Sequence, residues 1–386
     1  MAIAVKRYTS ATAGAPSLTG QAGSLISLLD ACLKDGFNSK SPSAATQTAG
    51  TATVTCTSHG FVPGDVVAIS GANESAWNDE FRVLTAAANS FTFAIGAGTT
   101  SPATGTLAAK IAPLGWTKPF SGTNKAAYLP KAEYVQRYLR VQDDSSTPTS
   151  ASGRWGKARG YETMSDVDTG TGPFPTVAQS TNGLSIFKSS TSDSTTRSWW
   201  LVGDGGIFYF GTFWHASYLT QASGYLFGDV ASLRAGDSYS SLLVGDATDT
   251  LSGSPSATST FTTLGGYSAT QVGKYLARAH AQTGSAVAAG MMGDNGVSLY
   301  MGYSGLTYPH PPDNGLLFAP VAVVESSVIR SRALPGLYQP LHAVPLNYLD
   351  TLTGLADLPD RTLQAFDLSY GGSRAQALID VTGPWR

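Results

Sequence analysis

Short runs of alternating apolar and polar residues, each closed by Gly, Asn or Asp, recur along most of this sequence and constrain its fold more than any other feature. Side chains on a strand point to alternate faces, so a period of two marks a half-buried strand; a helix needs apolar residues three and four apart. The stretch "SHGFVPGDVVAISGANESAWNDEFRVL", Ser58 to Leu84, shows the pattern clearly. Its "FVPGDVVAIS" reads as a Pro-Gly-Asp turn feeding a strand, and "EFRVLTAAANSFTFAI" as two more strands joined at Asn89-Ser90. A nucleophilic or metal site here would need His59, Asp65 and Ser70 to converge. Turn chemistry accounts for them more simply: His59 and Gly60 end a strand, and Asp65 caps a turn by accepting backbone N–H groups. The segment is expected to be a small β-module.

Helical periodicity is confined to two places. In "APSLTGQAGSLISLLDACLKDGF", Leu25, Ile26, Leu28, Leu29, Cys32 and Leu33 form a stripe, with Ser24 as the expected N-cap and Gly36 as the C-cap. The second candidate is "SATQVGKYLARAHAQ", within a Ser/Thr/Gly-rich stretch from Ser252 to Gly284 that reads otherwise as a long loop. Between the first helix and the β-module lies the polar linker "NSKSPSAATQTAG", and "GAGTTSPATG" lies near the module's end. Two such stretches around a strand-rich segment suggest an insertion. From Tyr134 onward strands dominate: "EYVQRYLRVQDD", then "SWWLVGDGGIFYFGTFW" as two strands around Gly205-Gly206, then "YLFGDVASL" and "SSLLVGDAT". The "LVGD" at Leu201–Asp204 recurs in the last of these, as a strand-to-turn ending. "LFAPVAVVESSVIRSRALPGLYQPLH" supplies two strands and a proline-punctuated segment. The expected fold is mainly β: an antiparallel, β-sandwich-like main domain with an N-terminal helix (residues 1–42 and 113–386) and an inserted small Ig-like β-module (residues 43–112).

Composition narrows the function. Of 386 residues only 13% are Asp, Glu, Lys or Arg, about half the usual share, while 42% are hydrophobic. That is not the signature of disorder, and it fits a surface partly covered by other subunits. Net charge is −2, and Lys and Arg are scattered singly, so no basic stripe marks a nucleic-acid face. Cys32 and Cys56 fall in different elements and read as small buried thiols. "MAIAVKRYTS" lacks the apolar core of a secretion signal and no apolar run reaches spanning length, so synthesis in a cytoplasm without membrane insertion is expected.

No stretch assembles a recognisable reaction centre. The Gly-Asp pairs in "GDVASLRAGD", "LVGDGG" and "MMGDNGVSLY" suit turn capping better than calcium. His59, His215, His280, His310 and His342 lack metal-ligand spacing. "DVDTGTGPFPT" runs into Pro173 and Pro175 instead of ending in Gly-Lys-Ser/Thr, so it reads as a loop and not a phosphate cradle. Asp143-Asp144 sit in "DDSSTPTSASG", where solvent is the expected partner. Neither catalytic residues nor a metal or cofactor is expected. Trp199, Trp200, Tyr209, Phe213 and Trp214 are either a glycan-binding platform or core, and core is the stronger reading.

Four stretches together resemble tailed-bacteriophage virion proteins: "AGAPSLTGQAGSLISLLDACLKDGF", "APLGWTKPFSGTNKAAYLP", "RGYETMSDVDTGTGPFPT" and "SRALPGLYQPLH". The Ser58–Leu84 module is similar to small β-sandwich repeats of phage tail and baseplate proteins, which act as spacers or decorations. The resemblance implies a non-enzymatic structural subunit of the virion tail, at the baseplate or tail tip. Its partners would be other virion proteins and copies of itself. A head or neck decoration protein, or a tail module binding a host surface glycan, are the alternatives. The strip "RALPGLYQPLHAVPL" suits an extended arm on a neighbour, with Leu334, Leu337, Tyr338 and Leu341 as its contacts, or equally a cover over the chain's own core. The insertion reading predicts that deleting Thr48–Ala109 leaves a remainder that still unfolds cooperatively in urea; a non-cooperative transition would show that the module belongs to the main core.

Overall fold

Four strands, Ser198–Gly203, Ile207–Phe213, Ser223–Asp229 and Ser241–Asp246, are buried at every residue except Ser198. The computed structural model, which describes residues 5–144, 154–217, 222–247, 272–291, 307–325, 329–342, 346–370 and 373–386, shows why. These strands form an antiparallel meander flanked by Lys6–Thr9 on one side and Val272–Leu276 on the other. Alternate residues enter different cores. Trp199, Leu201, Phe208, Phe210, Tyr225, Phe227 and Leu243 face one. Trp200, Val202, Ile207, Tyr209, Leu226, Leu242 and Val244 face the other. A sheet covered on both faces has no wet side, so its strands read as nearly continuous apolar runs and not as alternating ones.

The first core is closed by the N-terminal helix and by a second antiparallel meander. That meander runs through Thr117–Gly122, Lys125–Leu129, Tyr138–Gln142 and Trp155–Met164. Trp155–Met164 then pairs along one half with Leu184–Phe187 and along the other with Gly170–Phe174. The second core is closed by the C-terminal strands Phe318–Glu325, Ile329–Pro340, Leu363–Tyr370 and Ser373–Asp380, also antiparallel. Val323, Leu337, Phe366 and Ile379 point into it. The expected mainly β, antiparallel, sandwich-like architecture is therefore observed.

The inserted segment forms a sheet of seven strands between Phe37 and Ile111, which pair only with one another among the described residues. Glu80–Ala87 starts in one half-sheet, against Val66–Ala72, and ends in the other, against Ser90–Ala94. The polar linker after the helix is not a linker: Phe37–Lys40 and Ala44–Thr48 are strands of this sheet. Low apolar content hid them, because each buries only its few inward side chains. The chain re-enters beside its exit, where the amides of Leu114, Gly115 and Trp116 bond the carbonyls of Cys32 and Leu33.

Other expectations change in detail. The α-helix covers only Ser24–Leu29 and widens into a π-helical turn over Asp30–Asp35, ended by Gly36 at φ 72°. Its N-cap is Gly23, not Ser24, whose hydroxyl donates to the Thr19 carbonyl. The second helix candidate is a strand over Val272–Leu276, because pairing with Ser241–Asp246 overrides its helical spacing, and continues as bends and turns to Gln282. The rest of that candidate before Val272, and "GDNGVSLY", lie outside the described residues. "DVDTGTGPFPT" is half strand, Gly170–Phe174, although Asp166 and Asp168 do lie in a loop.

Abundant glycine has a steric use in the meander. Gly211 lies opposite Trp200, and a Cβ there would come within 2.1 Å of the indole. Replacing Gly211 by Ala must push Trp200 off its packing, an overpacking cost of roughly 1–3 kcal/mol. Gly98, where an added methyl would meet nothing within 4 Å, is the control. Gly98→Ala should move the urea midpoint little, and equal effects at the two sites would refute this steric account.

Candidate interaction surface

The proline-containing strip is not a free arm. Most of it is the strand Ile329–Pro340, and Leu334 and Leu337 are 2% and 0% exposed, packed into the second core of their own chain. A register shift between Ala333 and Tyr338 lets both Leu334 and Leu337 turn inward; beyond it the alternation resumes, so Tyr338 turns outward. Tyr338 is half-buried on the outer face of the C-terminal sheet, where its ring meets Phe318 edge to face at 5.5 Å. Leu341 is also half-buried, just past the strand. Around Tyr338 the partly covered side chains of Leu316, Leu352, Leu355 and Leu358 form an apolar patch over Leu363, Ala365 and Leu378. Of the four contact residues expected from sequence, the structure therefore leaves Tyr338 and Leu341 with surface to offer.

The glycan platform is not available in this form. Trp199, Trp200, Tyr209, Phe213 and Trp214 are each at most 4% exposed. Burial of such side chains is worth about 1.5–3 kcal/mol apiece, and Tyr209 also donates its hydroxyl to the Pro335 carbonyl at 2.7 Å. In the insert, His59 is 1% exposed and packs on Phe61 and Phe91. Its Nδ1 accepts the Phe61 N–H, while Asp65 Oδ2 accepts that of Val62. Ser70 is exposed on its strand. These residues terminate and cap turns. An open groove of about 600 Å³ on the insert is lined by Asp79, Glu80, Arg82, Leu84 and Ile95. Its Glu80 is paired at 2.6 Å with buried Lys6, which ties the insert to the first strand. Asp204 and Asp237 cap turns by accepting N–H groups from Gly206, Ile207 and Tyr239. Cys32 and Cys56 are buried free thiols.

Two ionic clusters escaped the sequence reading. Arg332, 0% exposed, bonds Asp237 with its Nη2 at 2.8 Å and Glu325 through Nη1. Glu325 also accepts the His280 N–H, and Arg278 grips Glu162 with two bonds of 2.6 and 2.7 Å while lying on the Tyr239 ring. Burial pushes the Glu325 carboxyl up, but hydrogen bonds from Ser331 and His280 and the Arg332 charge outweigh it and hold it below its usual range. The parity of Arg332 with Leu334 was the available signal: both must face inward on one strand. Among the described residues no group of three or more His, Cys, Asp and Glu is placed to hold a metal ion.

The second cluster corrects the reading of Asp143 as solvated. Asp143 and Lys188 are a fully buried ion pair. Asp143 Oδ2 accepts the Leu25 N–H at 2.8 Å and its backbone carbonyl that of Gly23, so it caps the helix from a distant strand end. Lys188 donates to the Gln21 carbonyl at 2.8 Å. The terminus of a helix lacks N–H partners of its own, and this carboxylate supplies one.

No protein-family model matches this chain, and no curated protein matches it either. Among solved structures it is similar to the phage phi92 endosialidase at 15% identity and a TM-score of 0.18, over 54% of this chain and 35% of that one. An overlap that slight carries no argument about the surface described above. No helix among the described residues is long and apolar enough to cross a membrane.

The buried pair makes two linked expectations. Lys188→Met leaves the Asp143 charge uncompensated and should cost roughly 3–5 kcal/mol, while adding Asp143→Asn should recover much of it. Burial pushes Asp143 up to about 6, against the pull of Lys188 and the helix N–H groups. A raised folded pKa means stability that is complete below the unfolded value near 3.8 and lost as pH rises through about 6. Urea titrations from pH 4 to 7 should show a steeper decline in the natural chain than in Asp143→Asn, where the raised carboxyls of Asp65, Asp204 and Asp229 still contribute; parallel profiles would contradict the assignment.

Proposed function

We propose that the chain is a structural subunit of a bacteriophage tail, stationed at the baseplate or tail tip, and that it works through contacts with copies of itself and neighbouring virion proteins. The observation that carries this reading is the apolar patch of Leu316, Phe318, Tyr338, Leu352, Leu355 and Leu358 on the outer face of the C-terminal sheet. It belongs to a chain with only 13% charged residues, so two identical faces meet with little like-charge repulsion. The sequence resemblance to tail proteins supplies the setting, and the β-insert, whose strands pair only with one another among the described residues, fits a spacer or decoration. We favour this over a glycan-binding module because the aromatic side chains of that alternative lie in the core.

A specific contact between subunits buries about 1,200–2,000 Å² in total, so a charge at its centre is costly. Tyr338→Glu with Leu352→Glu should reduce incorporation into purified particles at least tenfold, in a purified variant that urea titration shows to be still folded, with a midpoint lowered by the loss of two half-buried apolar side chains. Location of the chain by imaging is the companion measurement. Its absence from virions, or a position in which this face touches no other subunit, would sink the proposal.

A further inference from the structure

After the last long strand, the segment Thr382–Arg386 lies back across three other parts of the chain. Trp385 packs against Tyr209 with ring centres 5.6 Å apart and planes tilted by 59°, and its indole N–H donates to the Asp380 carbonyl. It occupies the space above Gly336, where a Cβ would come within 2.2 Å of the indole. Arg386 then enters a small acidic recess. Its Nη1 donates to the Asp229 carbonyl at 2.7 Å and lies 3.5 Å from Asp229 Oδ2, while Nη2 is 3.8 Å from Asp204 Oδ1. The guanidinium carbon sits 4.7 Å from the centre of the Tyr134 ring.

The recess is built without help from Arg386. Asp204 is fixed by the N–H groups of Gly206 and Ile207 at 2.7 and 2.8 Å, and its side chain is 1% exposed. Asp229 accepts the Ser240 hydroxyl, and the Tyr134 N–H bonds the Lys131 carbonyl. The floor is Gly206, where a Cβ would come within 2.4 Å of both the guanidinium and the Tyr134 ring. Burial raises both carboxyls, and each is lowered again by Arg386. Two carboxylates, a carbonyl and an aromatic face, held in place by neighbouring groups, match the planar donors and delocalised charge of a guanidinium better than the point charge of an ammonium.

We infer that Asp204, Asp229, Tyr134 and Gly206 form a receptor for a guanidinium group, which Arg386 of the segment Thr382–Arg386 occupies. The ligand class is an arginine-containing peptide with an aromatic residue immediately before the arginine. Nothing in this recess depends on a station in a virion.

Chemical rescue tests it in the 386-residue chain. Arg386→Ala should lower the thermal midpoint, and millimolar ethylguanidinium should restore part of the loss. It should give no rise in the parent, whose recess is filled, and none in Arg386→Ala carrying Asp204→Asn. A second measurement titrates acetyl-Gly-Pro-Trp-Arg into Trp385→Ala/Arg386→Ala. Saturable binding with a dissociation constant on the order of 0.1 mM is expected, well below the millimolar effective concentration that a short tether supplies, because the segment fills the recess in the parent. The same peptide ending in Gln should bind roughly tenfold more weakly or not at all. A folded Arg386→Ala chain that shows no rescue, or responds to ethylguanidinium no more than the parent does, overturns the receptor. If the double variant fails to fold, the Arg386→Ala rescue decides the matter.

Discussion

Every layer of this protein depends on the central meander being apolar on both faces. Trp199 and Trp200 are adjacent in sequence yet belong to different cores, and Phe208 with Tyr209 repeats the division. Neither face can be exposed without uncovering several aromatic side chains, each worth about 1.5–3 kcal/mol when buried. The helix and the second meander must therefore cover one face, and the C-terminal strands the other. Glycine makes this tolerable: Gly211 lies where the Trp200 indole crosses the neighbouring strand, and Gly160 stands in the same relation to Phe174.

With so much of the interior apolar, the few buried charges set how the layers meet. Lys6 reaches Glu80 across the insert boundary. Asp143 and Lys188 seat the helix on the second meander. Arg332 draws Asp237 and Glu325 onto the end of the C-terminal sheet. Desolvation makes such pairs weak sources of net stability, but removing one partner is expensive. Their contribution here is to specify geometry: Lys6–Glu80, Asp143–Lys188 and Arg332–Asp237 each join elements far apart in the chain, where an apolar contact alone would permit sliding.

The same layering bears on function. Once both faces of the central sheet are covered, the surface left for partners is the outside of the covering layers. On the C-terminal sheet that outside carries Tyr338 and its leucine neighbours, incompletely covered by the chain itself. The segment Thr382–Arg386 crosses from that sheet to the turn at Asp204 and so links the second core to a charged recess.

Alternation and turn residues determined by themselves that the chain would be antiparallel β. They placed the hairpin at Gly205-Gly206, the Asp65 turn and the helix stripe from Leu25 to Leu33, because these depend on neighbours within a few residues. Local patterns also marked the aromatics as core. What lay beyond them was anything decided by a partner far away in the chain. Asp143 looks solvated in "DDSSTPTSASG" and is buried only because Lys188 and the helix N-terminus meet it. "VGKYL" has helical spacing and is a strand because Ser241–Asp246 offers it unpaired hydrogen-bonding groups. Leu334 and Leu337 could have served an arm or a core with the same residues, and only the opposing faces of Val323 and Ile379 settled which. Periodicity is a property of one segment, whereas burial and charge pairing belong to two segments at once, and the tertiary structure alone brings those together.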